Sequence, residues 1–154
     1  MKFIRYLAAF IAVVIIQTTL CRLISIKGIA PDLLLCFLLF LATKEGALIG
    51  VFTGFSMGLI LDVYSPQTLG IGSLVGSVIG YLAGFLDERK ITLDDKYKLP
   101  VVFLAALLKG VLTAALVFNA HAAFHHLFLS QILPTAFYTT LVGGVLLLII
   151  GRRK

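Results

Sequence analysis

With 154 residues, 60% hydrophobic side chains, 13% charged and a mean hydropathy of +1.10, the chain lacks the polar surface that a water-soluble domain needs. Its length suffices for six spans of about 20 residues with short loops, which leaves nothing for a soluble domain. The cysteines, Cys21 and Cys36, sit in apolar sequence and imply no disulfide framework, and the net charge of +6 needs a positional reading before a nucleic-acid one.

The first span covers residues 6–24. Lys2 and Arg5 ahead of an apolar stretch resemble a signal peptide. The stretch ends Gln17-Thr18-Thr19-Leu20-Cys21, without a small-x-small cleavage site, and Leu20 is too large for a lipoprotein site at Cys21. The segment is therefore read as retained. Ala8 and Ala12 give it a small-residue face, and Gln17, Thr18 and Thr19 are polar groups that seek interhelical partners.

The second span, 30–43, opens with Pro31 in its first turn, where a missing N–H costs nothing. It is short for a core of about 30 Å, so either Lys44 snorkels, the bilayer thins locally, or the segment is re-entrant. Spans three (46–61) and four (69–86) carry eight of the fourteen glycines at four-residue spacing: Gly46, Gly50, Gly54 and Gly58, then Gly72, Gly76, Gly80 and Gly84. In water, glycine within a helix costs roughly 1 kcal/mol against alanine. In a bilayer the same spacing cuts a flat groove in which another backbone packs closely.

The link from Asp62 to Gly70 contains Pro66, which favours a turn. Asp62 either caps the following turn or pairs with a cation such as Lys109, Arg22 or Lys27. Pairing, or contact with a partner protein, is the favoured expectation. The segment from Asp87 to Lys98 has mixed charge and reads as a solvated connector or a docking surface.

Span five, 99–118, is expected to hold Pro100 in its first turn and carries Lys109 near its middle, beside Gly110. A central lysine costs about 2.5–3.5 kcal/mol on insertion scales and should face the bundle interior or a wet cavity. Asp32 and Asp62 are its candidate counter-charges. A structural ion pair is favoured over snorkelling and over a transport role. His121, His125 and His126 follow in a loop; without an acid or cysteine nearby they are a weak metal signal. Span six, 131–150, has Pro134 in its first turn. Neither Ser65 nor Ser130 has a nucleophile-elbow context, so no catalytic or cofactor-binding constellation is expected.

Six spans with a cytoplasmic N-terminus place ten of the thirteen basic residues at inner ends and only Arg22 and Lys27 at outer ends. An odd number would separate Arg152, Arg153 and Lys154 from Lys2 and Arg5. The excess positive charge thus reflects orientation and contact with anionic membrane lipids, not nucleic acid.

The order Gln17-Thr18-Thr19, Pro31-Asp32-Leu33-Leu34-Leu35, Gly50-x3-Gly54-x3-Gly58-x3-Asp62, Leu69-Gly70, Gly80-Tyr81-Leu82-Ala83-Gly84 resembles the rod shape-determining protein MreD family. Residues 17–84 carry the specific part of that resemblance; the C-terminal third matches as hydrophobic helix. The resemblance implies an all-α integral membrane protein, a six-helix bundle similar to the substrate-binding subunits of energy-coupling-factor vitamin transporters. It further implies a non-enzymatic inner-membrane subunit of the elongasome, which builds side-wall peptidoglycan. The implied partners are an MreC-like periplasmic scaffold, an MreB-like filament, a RodA-like glycosyltransferase and a class B penicillin-binding transpeptidase. Two other readings stand beside it: a small-solute binding subunit of a transporter, with Ala8 and Ala12 as its docking face, and a membrane-embedded enzyme. Whether the protein forms a homo-oligomer is open at this level.

Overall fold

The computed structural model describes residues 2–24, 30–63, 69–86, 95–117 and 128–151. Helices α1 (Lys2–Ile24), α2 (Leu33–Glu45), α3 (Ala47–Val63), α4 (Ile71–Gly84), α5 (Asp95–Val117) and α6 (Leu133–Gly151) account for most of them, and a π-helical turn, Phe128–Ile132, leads into α6. There is no strand among the described residues.

Helix α2 is the hub. Its sequence, LLLCFLLFLATKE, is apolar all round as far as Ala42, which is the signature of a helix enclosed by others. It packs against each of the other five. Leu34, Leu35, Leu38, Leu39 and Ala42 are buried and meet Met57 of α3, Val75, Ile79 and Ala83 of α4, Val102 and Ala106 of α5, and Ala136 of α6. At 13 residues, α2 is only about 20 Å long.

Helices α3 and α4 form an antiparallel hairpin with the closest backbone approach in the fold. A Cβ placed on Gly50 would overlap the Gly80 carbonyl, one on Gly54 the Gly76 carbonyl, and one on Gly58 the Gly72 carbonyl; the reciprocal positions at Gly76 and Gly80 are equally closed. At the far end Gly84 meets the backbone of Ala47. The outer faces of this hairpin, including Phe52, Phe55, Leu74 and Tyr81, are exposed and apolar.

Three sequence expectations are corrected. Gly46 is not in the packing register of α3. It is the single residue between α2 and α3, at φ 95°, where the chain reverses through a conformation that side chains disfavour. Pro31 stands outside α2, because Asp32 is the N-cap: its carboxylate accepts from the Leu35 N–H at 2.9 Å, and the helix starts after it. Pro100 lies inside α5, since that helix extends back to Asp95; the ring therefore removes one intrahelical hydrogen bond that a first-turn position would have spared. Pro134 does fall in the first turn of α6.

Among the described residues one stretch, Lys98–Val117, is long and apolar enough by itself to cross a membrane; Tyr6–Thr19, Ala47–Val63 and Ile71–Gly84 are shorter apolar helices.

Candidate functional site

Among the described residues, two polar clusters centred on aspartates interrupt this apolar bundle. The first closes the α3–α4 hairpin. Asp62, only 4% exposed at the end of α3, accepts from the N–H groups of Gly70, Gly72 and Ser73, each at 3.0 Å, and from the Ser73 hydroxyl at 2.8 Å. These are the donors that a helix start leaves unsatisfied, and a carboxylate there is further favoured by the helix dipole. Gly70, at φ 94°, turns the chain into α4, and a Cβ on Gly72 would collide with the Asp62 carboxylate. The expectation that Asp62 pairs with a cation is thus corrected. It caps, and among the described residues no cation reaches it, because Lys109 is engaged elsewhere.

Capping by a carboxylate that holds four donors makes a graded prediction. Asp62→Ala should cost about 2 kcal/mol, the upper end of the range for lost caps. Asp62→Asn should cost roughly half as much, since an amide oxygen in place of Oδ2 retains three of the four contacts. Thermal unfolding in detergent reads the order; equal loss in both variants would point to charge instead of capping.

The second cluster gathers at the start of α2 and joins four helices. Lys109 of α5 forms an ion pair with Asp32 Oδ2, whose other oxygen caps Leu35. The Asp32 N–H donates to the Thr139 hydroxyl of α6 at 3.1 Å. Gln17 of α1 uses both ends of its amide, donating to the Pro31 carbonyl at 3.1 Å and accepting from the Leu33 N–H at 2.9 Å. Chain entry into α2 is therefore clamped from three sides. Thr139 is fully buried, and Cys36 leans its thiol toward the Thr139 carbonyl at 3.9 Å.

Beside the ion pair lies a cavity of about 310 Å³ between α2, α5 and α6. Asp32, Lys109, Thr113, Gln131, Thr135 and Thr139 supply its polar lining. The Lys109 and Asp32 side chains keep 27% and 16% of their surface accessible. At the opposite end of the bundle, the Tyr6 hydroxyl donates to Glu45 at 2.9 Å, tying α1 to the end of α2, and the Lys44 ammonium sits 4.3 Å over the Phe40 ring.

The structure thus unites Gln17, Asp32 and Lys109, and holds Asp62 apart from them. Sequence reasoning missed Thr139, Ser73 and the Tyr6–Glu45 link. Its one available signal for Thr139 was the three threonines, Thr135, Thr139 and Thr140, in a largely apolar α6. Lys27, Ser65, Pro66, residues 87–94 and the histidines at 121, 125 and 126 lie outside the described residues. Among the described residues no group of three metal-ligating side chains converges.

Comparison with curated proteins and with solved structures returned no match, so the likeness to energy-coupling-factor subunits gains no structural counterpart. A family profile described as rod shape-determining protein MreD matches residues 1–152, essentially the whole chain. The chain belongs to the MreD family of rod shape-determining membrane proteins.

Proposed function

We propose that this protein is a non-enzymatic scaffold of the elongasome, a multi-pass subunit of the bacterial inner membrane that holds the side-wall peptidoglycan machinery together. Family membership assigns a role in rod shape determination, and the family is associated with the MreB/MreC system; the scaffolding role and the individual partners are the finer reading. The whole-length family match is the observation that carries it. A rigid helix hairpin with exposed apolar outer faces suits a protein that presents surfaces to other transmembrane helices.

In this reading the chain is a single membrane domain of six spans, with both termini cytoplasmic and the Asp62–Gly70 link on the outer side. The basic residues support that orientation through the positive-inside rule. The partners are an MreC-like scaffold, an MreB-like filament, a RodA-like glycosyltransferase and a class B penicillin-binding transpeptidase. No comparison supports the solute-binding transporter subunit.

A tag after Lys154 tests location and company together. In native membranes it should be accessible from the cytoplasmic face, and pull-down with mass spectrometry should recover an MreC-like protein. A periplasmic tag would overturn the six-span topology. Recovery of an ATPase pair in place of the MreC-like protein would overturn the scaffold.

A further inference from the structure

The cavity beside the Asp32–Lys109 pair has a composition that scaffolding does not require. Helix α2 is short and begins at the level of Lys109, eight residues before the end of α5 at Val117. That is about 12 Å along the helix axis, so the cavity extends along α5 past the sunken end of α2. Its walls combine an ion pair with the hydroxyls of Thr113 and Thr135 and the amide of Gln131, over an apolar floor that includes Leu35 and Ile132.

We propose that this cavity binds the headgroup of a zwitterionic phospholipid, its ammonium against Asp32 and its phosphodiester against Lys109. The shared chemistry is a zwitterion, and it follows from charge balance. Within the cavity the pair is neutral, in surroundings where an unbalanced charge is costly. A bare anion would face the Asp32 carboxylate, and a bare cation would face the Lys109 ammonium. A zwitterion adds one complementary charge to each partner and brings in no net charge. Lys109 has the capacity for this: an ammonium has three N–H donors, and Asp32 is its one hydrogen-bond acceptor among the described residues. The lipid source, as opposed to a free zwitterion, follows from the surroundings. The cavity's own lining is apolar at Leu35, Ala106, Ala114 and Ile132, and elsewhere on their surfaces α5 and α6 expose Leu104, Phe137 and Leu141, apolar surface that acyl chains can cover. Its volume suits a headgroup, at the small end of ligand pockets. The inference goes beyond the scaffold reading and rests on the membrane placement within it.

The test uses the full-length protein in nanodiscs of equal parts phosphatidylethanolamine and phosphatidylglycerol, followed by detergent extraction and native mass spectrometry of retained lipid. The wild type should retain phosphatidylethanolamine over phosphatidylglycerol by about tenfold, equivalent to one step on the affinity scale. Asp32→Asn with Lys109→Met should abolish the preference, while the asparagine oxygen still caps Leu35. Thr113→Phe, which fills the cavity and leaves the ion pair intact, should abolish it too. Equal retention of both lipids by wild type overturns the proposal, as does a preference that persists in both variants. In a parallel arm, short-chain phosphatidylethanolamine should raise the thermal midpoint and soluble phosphoethanolamine should not. Equal protection by the soluble compound overturns the lipid source and assigns the site to a free zwitterion. MreC-like co-purification is scored separately, so loss of lipid preference with the complex intact would leave the scaffold reading standing.

Discussion

Leucine at Gly54 or Gly76 is expected to be the most damaging single change in the protein. The two glycines face one another across the α3–α4 hairpin, and a Cβ at either would occupy the space of the other's carbonyl group. Overpacking of a core by added methylenes ordinarily costs about 1–3 kcal/mol, relieved by side-chain rotamer changes. Here the obstacle is backbone, so no rotamer can yield and whole helices must part. Separation would undo the neighbouring contacts at Gly50–Gly80 and Gly58–Gly72 as well. It would also disturb the Asp62 cap at the hairpin's closed end. Loss of a single thermal transition in detergent, low steady-state protein in membranes and failed rod-shape complementation should appear together. Phe52→Leu is the control, because Phe52 is 66% exposed on the outer face of α3 and contributes nothing to this contact. Wild-type thermal stability in Gly54→Leu would show that the hairpin tolerates a wider separation.

The second large effect is expected at the Asp32–Lys109 pair, where the two partners should not be equivalent. Breaking a fully buried ion pair by removing one member costs about 3–5 kcal/mol, mainly because the remaining charge has no partner; this pair is half-buried, with 27% and 16% of its side-chain surface accessible, so the loss should fall below that range. Asp32 has other support: it caps Leu35 and stands at the positive end of the α2 dipole. Lys109 has none among the described residues. Asp32→Ala should therefore be worse than Lys109→Met by about 1 kcal/mol, the worth of the cap. The double change Asp32→Asn with Lys109→Met should restore most of the stability. It leaves no isolated charge and retains the cap. Thermal midpoints of the single and double variants in one detergent measure the coupling. Additive losses in the double variant would mean that the two residues act independently, contrary to the observed pairing.

Both results depend on a division of labour between sequence and tertiary structure. Glycine spacing in α3 and α4 revealed the hairpin because backbone contact can be made only by residues without side chains. The requirement repeats along a helix face and is therefore visible as periodicity. Gly46 shares that periodicity yet serves the α2–α3 turn. Spacing reports which residues are small, whereas backbone dihedral angles decide why.

The partner choice of the two aspartates shows the other side. Both stand at ends of apolar helices; sequence offered Asp62 either a cap or a cation, and Asp32 only the role of counter-charge to Lys109. Asp62 lies close in the chain to the donors at Gly70, Gly72 and Ser73, and the hairpin brings them onto its carboxylate without help from another helix. Asp32 is 77 positions from Lys109 and 107 from Thr139. Those contacts arise only when α5 and α6 pack on the hub helix α2.

By itself, the sequence determined the all-helical apolar character, the close-packed hairpin, the family, and the set of residues from which a polar junction could be built. These follow from composition and local spacing. The tertiary structure alone decided that Asp32 takes the cation, that Asp62 takes the cap, and that short α2 leaves a cavity beside the pair. Those outcomes depend on how far each helix extends and which faces meet, and neither quantity is encoded in any local stretch of the chain.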